Sequence, residues 1–213
     1  MSNLAVFYHC LFASANRKID ARFACDLMAA QMGALEKSRL ADAGEIHIGV
    51  NGPDHDTASL FAPAGAILHA HGSMATTEIP TLALLRQWLS AHRDWYVCYH
   101  HMKGVTHPPF DAKWRWNMER HVIWSWRECV AALEAGYDAC GCHWLTPRDH
   151  PNMVKSPFFG GNFWWARASY LLTLPPLPPP LWENRYLAET WIGSGQTAPK
   201  IRDYLPGWPS SHD

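Results

Sequence analysis

The sequence predicts an α/β protein in which a mainly parallel sheet is flanked by helices, as in Rossmann-like folds. Strand-like and helix-like segments alternate along the first two-thirds of the chain, which favours parallel strands joined by helices. Residues 4–12, LAVFYHCLF, form a continuous apolar run typical of a strand covered on both faces. The length of 213 residues and the hydrophobic fraction of 48% suit a single compact domain.

The first half of the chain supplies the predicted central strands. Residues 20–44 predict a helix that begins at the N-cap Asp20 and ends at Gly44. A strand over 45–52 follows, and a weaker one over 66–72. Together with the first strand, these segments predict one side of the sheet.

The next elements continue the alternation. Residues 76–93 predict a helix with threonine at the N-cap and Pro80 in its first turn. A strand is predicted over 95–102, a long helix over 111–135, and a strand over 137–144. Strand connections of this kind place the loops that follow the strands at one edge of the sheet.

The pattern changes after residue 145, where proline and glycine become frequent. Residues 174–182, LPPLPPPLW, predict an extended connector, with a ligand for a peptide-recognition domain as the alternative. The domain is expected to span 1–195, and 196–213 are expected to form a polar, proline-containing tail.

Charge and composition exclude several classes of function. The formal net charge is −1, so nothing indicates a nucleic-acid partner. No apolar run reaches the 18 residues of a membrane span, and the N-terminal positive charges follow the apolar segment instead of preceding it. We therefore expect a cytoplasmic protein, with peripheral membrane attachment left open. Six cysteines are expected to be reduced and mostly buried.

Basic residues follow two of the predicted strands. The strand over 95–102 ends with His100 and His101, and Lys103 follows it directly. The first strand is followed by Arg17 and Lys18. Imidazole and ammonium groups at this edge suit an anionic ligand such as a diphosphate. The alternative is one core histidine, one exposed histidine and a surface lysine. Adjacent strand residues point to opposite faces, which argues against a metal shared by the two histidines.

The segment FFGGNFWWARASYL, residues 158–171, is unusual for ordinary core. Gly161 permits a positive φ or a close approach of a ligand. Asn162 can both donate and accept hydrogen bonds, as a hydroxyl-rich ligand requires. Trp164 or Trp165 could offer a flat face to a sugar ring, and the alternative is that both lie in the core.

A carboxylate and a guanidinium are predicted to share one face of a helix near the C-terminus. Arg185 and Glu189 lie four residues apart in NRYLAETWIG. If this helix reaches the ligand edge, Glu189 has the chemistry of a general base toward a hydroxyl. A surface ion pair is the alternative interpretation.

These blocks resemble a glycosyltransferase. HHMKG after a strand, then YDACG, FFGGNFWWARASYL and RYLAETWIG, are similar to blocks of small bacterial and viral sugar-transferase domains, over about residues 95–193. The resemblance implies the type A glycosyltransferase fold, with a nucleotide-binding half over 1–104 and an acceptor half over 105–195. It also implies transfer of a sugar, expected to be a hexose, from a nucleoside diphosphate sugar to a glycan or lipid-linked acceptor, as in polysaccharide biosynthesis. The resemblance makes Glu189 the base.

One departure from that family concerns the metal. Such enzymes usually carry Asp-x-Asp after a central strand, where this sequence has HHMKG. Either a divalent ion such as Mn²⁺ or Mg²⁺ binds through other residues, or Lys103 with the histidines neutralises the leaving diphosphate. Two other classes stay open: a carbohydrate-binding module without turnover, and a metal-dependent hydrolase.

Overall fold

The computed structural model describes residues 3–13, 18–52, 54–72, 77–106, 112–149 and 156–207. Nine strands are described in these ranges: β1 Leu4–Leu11, β2 Glu45–Asn51, β3 Ile67–Ala70, β4 Tyr96–His101, β5 Ala139–Gly141, β6 Trp144–Leu145, β7 Phe158–Phe159, β8 Trp164–Arg167 and β9 Ile201–Asp203. The α-helices described there are α1 Ala21–Lys37, α2 His55–Ser59, α3 Ile79–Leu89, α4 Ala112–Glu119, α5 Trp126–Glu134, α6 Ala168–Leu171 and α7 Arg185–Thr190.

Seven strands form one mixed sheet, in the order β3-β2-β1-β4-β8-β5-β9. The pairs among β3, β2, β1 and β4 are parallel, and β8 is antiparallel to both β4 and β5. The chain builds the sheet outward from β1 in one direction and then returns to place β4 on the other side of β1. In open α/β sheets, ligands bind beyond the carboxyl ends of the strands at such a reversal of strand order.

Helices cover both faces of the sheet, so strand side chains alternate between two core layers. All eight residues of β1 are buried, with Val6 and Tyr8 in one layer and Ala5 and Phe7 in the other. Helices α1 and α5 contribute to the first layer, and α3, α6 and α7 to the second. The predicted α/β architecture with a mainly parallel sheet flanked by helices is confirmed.

Several predicted boundaries were wrong. The first helix begins after its N-cap Asp20, as predicted, but ends at Lys37, well before Gly44. The helix predicted over 76–93 starts at Ile79 with Glu78 as its N-cap residue instead of a threonine. The long helix over 111–135 is divided into α4 and α5 by a π-helical segment, Arg120–Trp124. A π segment inserts one residue into the helical repeat, which periodicity alone does not reveal.

The C-terminal region adds a strand that the sequence did not predict. Residues 201–203, within the expected polar tail, form β9 at the edge of the sheet and pair in parallel with β5. Asp203 accepts hydrogen bonds from the backbone N–H groups of His143 and Trp144, at 2.9 and 2.8 Å. These contacts hold the end of the described chain against the sheet.

Within the described ranges, no helix combines the length and apolar character needed to cross a bilayer.

Candidate functional site

Four charged or titratable side chains meet at the carboxyl edge of the sheet, where β4 ends. His101 is the last residue of β4, and Lys103 follows it in the turn. Glu78 precedes α3, and Glu189 lies on α7. We call these four residues the carboxylate–lysine site. It lies beside the β1–β4 reversal of strand order, the position that the topology favours for a ligand.

Glu78 is held by a dense set of hydrogen-bond donors. The Tyr99 hydroxyl donates to its Oε2 at 2.8 Å, and Asn162 Nδ2 donates to the same oxygen at 2.6 Å. Burial raises the pKa of Tyr99 well above its ordinary value, so the hydroxyl keeps its proton and remains a donor. Glu78 is therefore oriented from both β4 and the loop before β8.

His101 links Glu78 to the glycine-rich loop. Its Nε2 lies 3.0 Å from the carbonyl oxygen of Gly161, and its Nδ1 lies 3.5 Å from Glu78 Oε1. Because a carbonyl oxygen only accepts, Nε2 carries a proton and Nδ1 faces the carboxyl group. The imidazole and the Glu78 carboxyl group thus lie within ion-pair distance of each other.

Lys103 contributes the positive charge of the site. Its Nζ lies 4.0 Å from the centre of the Trp114 ring, a cation–π contact with α4. Its carbonyl oxygen accepts a hydrogen bond from Arg115 Nη1 at 2.8 Å. The turn that carries the ammonium group is therefore fixed to α4 at its backbone and at its side chain.

Glu189 brings a second carboxylate to the same charges. It is electrostatically coupled to Glu78, to Lys103 and His101, and to Arg185 one turn earlier on α7. Among the described residues, no hydrogen-bond donor to the Glu189 carboxylate is found. Its oxygens differ in this respect from those of Glu78, and they can accept a proton from a ligand.

Burial changes the acidity of both carboxyl groups. Desolvation raises the pKa of Glu78 to about 7, against the lowering effect of Tyr99, Asn162 and Lys103. Desolvation also raises the pKa of Glu189, and repulsion from Glu78 adds to this effect. Two carboxyl groups with raised pKa values beside an ammonium group are typical of sites that transfer protons near neutral pH.

The structure gives Asn162 and Gly161 supporting positions, and their contact with a ligand stays a prediction. Asn162 is 1% exposed, and its Oδ1 accepts a hydrogen bond from Trp164 Nε1 at 2.8 Å while its Nδ2 donates to Glu78. Gly161 has a φ of +88°, and a Cβ there would lie 2.6 Å from Met118 Sδ. The space beside Gly161 is filled by α4, so the glycine is required by the turn and by packing.

Trp164 and Trp165 were predicted to supply one ring to a sugar, and the structure places both in the core. Each is fully buried, and as neighbours on β8 they point into opposite core layers. Trp164 stacks on Tyr99 with ring centres 5.2 Å apart. Trp165 Nε1 donates to the Val122 carbonyl in the π-helical segment at 2.8 Å.

His100 also lies in the core and not at the carboxylate–lysine site. It is fully buried between the rings of Tyr8 and Phe163, on the face of β4 opposite His101. Burial lowers the pKa of His100 to about 3, so the ring is neutral and adds no positive charge for a diphosphate. The alternation of strand side chains separates the two histidines.

The two predicted basic residues after β1 have different outcomes. Arg17 lies outside the described residues. Lys18 is exposed in the segment between β1 and α1, on the same edge of the sheet as the carboxylate–lysine site. Its predicted contact with a nucleotide stays a prediction.

The described side chains do not fit a divalent metal at this edge. No group of three or more histidine, cysteine, aspartate or glutamate side chains in the described ranges is arranged to hold an ion. Asp54 and Asp56 have the spacing of an Asp-x-Asp motif, but they lie at the N-cap and in the first turn of α2, after β2 and not after β4. The five cysteines other than Cys25 are buried, and all six are free thiols, as expected.

Sequence reasoning missed Glu78 and Tyr99. Glu78 was read only as part of a helix, although it follows β3 and precedes α3, on the edge where strand-end loops gather. A carboxylate at that junction, just before an apolar helix, was the available signal. Tyr99 gave no signal, because a tyrosine in a buried strand is ordinary core.

A family model matches residues 7–185, which is most of the chain. The chain belongs to the family described as "Domain of unknown function (DUF8361)". No curated protein matches this family member.

Three solved structures are similar to this DUF8361 chain at low identity. A mycobacterial protein is 14% identical with a TM-score of 0.44; the match covers 82% of this chain and 56% of the other. The 4-diphosphocytidyl-2C-methyl-D-erythritol synthase of Anaerococcus prevotii is 10% identical with a TM-score of 0.42, covering 80% and 74%. A Desulfovibrio desulfuricans protein provisionally assigned as a nucleotide-diphospho-sugar transferase is 10% identical with a TM-score of 0.43, covering 97% and 81%.

Proposed function

We propose that the protein transfers a sugar from a nucleoside diphosphate sugar to a hydroxyl group of a glycan or lipid-linked acceptor. The observation that supports this most is the carboxylate–lysine site itself: two carboxyl groups of raised pKa beside one ammonium group, at the strand-order reversal. The ammonium group suits a diphosphate and a carboxylate suits an acceptor hydroxyl, so the site offers one group to each reactant.

Glu189 is the proposed general base. It takes the proton of the acceptor hydroxyl, and the acceptor oxygen forms a bond to the anomeric carbon of the donor sugar. The bond from that carbon to the diphosphate oxygen breaks, and the diphosphate leaves with the electron pair. Lys103 stabilises the negative charge that develops on the leaving group.

Glu78 and His101 are proposed to set the charge of the site. Glu78 is engaged by Tyr99 and Asn162 and lies within ion-pair distance of His101, so it is less suited than Glu189 to approach an acceptor. Desolvation raises the pKa of Glu189, and the charge of Glu78, when ionised, adds to this effect, which strengthens Glu189 as a base once it is ionised. His101, fixed by the Gly161 carbonyl, holds its other ring nitrogen toward the Glu78 carboxyl group.

The other two classes have less support. A carbohydrate-binding module was proposed on the stacking face of a tryptophan, and both Trp164 and Trp165 are buried. A metal-dependent hydrolase needs an ion held by side chains, and the described residues give no such group. No step of the proposed reaction is assigned to a metal.

The first test is thermal melting with UDP, GDP, CDP and dTDP, each with and without Mn²⁺. A ligand at a hundred times its Kd adds about 2.7 kcal/mol of stability, which is easily seen as a rise in Tm. We expect one diphosphate to raise the Tm, and without Mn²⁺ if Lys103 alone neutralises the phosphates. No rise with any nucleotide would contradict the proposal.

The second test replaces the proposed base. With a matching sugar nucleotide and acceptor, Glu189→Gln should lower the rate by about 10²–10⁴-fold while the nucleotide still raises the Tm. Glu183→Gln, a change at an exposed carboxylate just before α7, is the matched control and should keep the wild-type rate. Normal turnover by Glu189→Gln would remove Glu189 from the mechanism.

A further inference from the structure

The segment 112–127 presents one kind of surface to solvent. Its exposed residues are Lys113, Trp116, Arg120, Trp124 and Arg127, which we call the basic–tryptophan face. Within 112–127 every exposed residue is a tryptophan, a lysine or an arginine, and the exposed Glu128 follows directly. The two indoles are 54% and 46% exposed, which is unusual for the largest apolar side chain.

The spacing places these side chains along one side of the helical segment. They lie three or four residues apart, and the opposite side carries Met118, Val122 and Trp126, which are buried. The π-helical segment Arg120–Trp124 widens the turn at the point where a regular helix would rotate the stripe. The guanidinium carbon of Arg120 lies 5.7 Å from the centre of the Trp116 ring, so a cation and an indole act as one unit.

We propose that the basic–tryptophan face binds the surface of a bilayer that contains anionic lipid. Indole rings prefer the headgroup level of a membrane, because one side of the ring is apolar and the N–H is polar. Lysine and arginine beside them are attracted to anionic headgroups. Three positive charges gathered on one face of a chain whose net charge is −1 supply the charge complementarity.

A helix that lies in a membrane interface shows this division between a lipid-facing side and a protein-facing side. Single-stranded nucleic acid is the other polyanion that basic and aromatic residues bind, but such proteins use a groove that tracks the backbone. The basic–tryptophan face is the outer surface of a helical segment, which fits a flat bilayer better.

The face belongs to the same segment that supports the carboxylate–lysine site. Trp114, one residue from the exposed Lys113, contacts the Lys103 ammonium group at 4.0 Å from its ring centre. Binding of the face to a bilayer would bring that site close to the membrane surface. The membrane proposal does not depend on the proposed sugar transfer, since it concerns lipid binding alone.

The test is cosedimentation of the whole protein with vesicles. Vesicles of phosphatidylcholine with added phosphatidylglycerol should carry the protein into the pellet, and vesicles of phosphatidylcholine alone should carry far less. The triple variant Lys113→Gln/Arg120→Gln/Arg127→Gln should bind on the order of 100-fold more weakly, since each basic residue near an anionic surface contributes roughly fivefold. Trp116→Ala/Trp124→Ala should also lose binding, with an unchanged melting temperature because both rings are exposed.

Matched variants on other surfaces provide the control. Arg22→Gln/Arg93→Gln/Arg202→Gln removes the same charge from three other exposed positions and should leave vesicle binding unchanged. Equal losses from both triple variants, absence of sedimentation with anionic vesicles, or tighter binding to a single-stranded RNA than to vesicles would each overturn the proposal.

Discussion

The two edges of the sheet differ in what they offer a ligand. At the amino edge, a cavity of about 660 Å³ is lined by residues around the starts of β1, β2, β3 and β4, including Leu4, Ile46 and Trp95. Its ionisable lining residues are the acids Asp42 and Glu45. The carboxyl edge instead brings Lys103 and His101 together with its carboxyl groups.

The comparison shows that, in this fold, the cavity lies at one edge of the sheet and the cluster of titratable side chains lies at the other. The ionisable residues that line the amino-edge cavity are acidic, whereas the carboxyl edge has an ammonium group beside its carboxyl groups, and that ammonium group attracts a phosphate. Perturbed acidity is also concentrated at the carboxyl edge, where burial raises the pKa of Glu78 and of Glu189. We therefore place the proposed function at the carboxyl edge and not at the edge with the cavity.

Loss of the Lys103 charge is expected to have the largest effect on nucleotide affinity, and it therefore separates the two edges most clearly. Lys103→Met keeps the aliphatic stem against Trp114 and removes the ammonium group. The affinity for the stabilising nucleoside diphosphate should fall on the order of 10- to 100-fold, because a charged hydrogen bond is lost. Isothermal titration calorimetry measures the change.

The matching variant at the other edge is Ala64→Leu. Ala64 is exposed and lines the amino-edge cavity, so the larger side chain narrows the cavity without disturbing the core. Nucleotide affinity should stay at the wild-type value. The reverse pattern, with Ala64→Leu weakening binding and Lys103→Met not, would move the nucleotide to the amino edge.

A smaller effect should come from the acidity of Glu78. Its pKa in the folded protein is about 7, above the ordinary 4.5, so the folded state holds the proton more tightly than the unfolded state. The stabilisation is complete below about pH 4.5 and is lost as the pH rises to about 7. Glu78→Gln has no such loss, and its stability relative to wild type should increase by on the order of 2 kcal/mol between pH 5 and pH 8.

Chemical denaturation at the two pH values measures this difference. Glu183→Gln is the control, since an exposed carboxylate should give the same small difference at both pH values. A relative stability of Glu78→Gln that does not depend on pH would show that Glu78 titrates as an ordinary carboxylate. The raised pKa of Glu78 would then no longer distinguish the carboxyl edge from the amino edge.

The sequence predicted the sheet better than it predicted the site. Continuous apolar runs revealed β1 and β4, because strands buried on both faces need apolar residues at every position. The topology rule pointed to the carboxyl edge, where the structure brings Lys103, His101 and Glu189 near each other, and their roles stay predictions. The ends of α1 and α3 were misplaced, since the cap at Glu78 uses no side-chain hydrogen bond that a sequence pattern could signal.

The rest of the site depends on contacts between distant parts of the chain. Glu78 and Asn162 lie 84 positions apart, yet they are joined by one hydrogen bond. The prediction that a tryptophan ring would stack on a sugar depended on its exposure. Two adjacent tryptophans in a sequence do not reveal whether their rings are exposed or buried. Only the antiparallel pairing of β8 with β4 and β5 reveals that both rings are covered.

His100 gives the smallest expected effect and tests whether the carboxyl-edge chemistry stops at His101. Both ring nitrogens of His100 are buried and lack a hydrogen-bond partner among the described residues. Its pKa of about 3 is below the ordinary 6.5, so the unfolded state binds a proton more readily, and folding stability is lost as the pH falls below about 6.5.

His100→Leu removes that proton site and the unsatisfied nitrogens. Its stability relative to wild type should therefore increase on the order of 1 kcal/mol from pH 7.5 to pH 6, in denaturation experiments, with nucleotide affinity unchanged. A loss of nucleotide affinity would instead place His100 in the site, because a histidine that serves only the core cannot influence a diphosphate on the other face of β4.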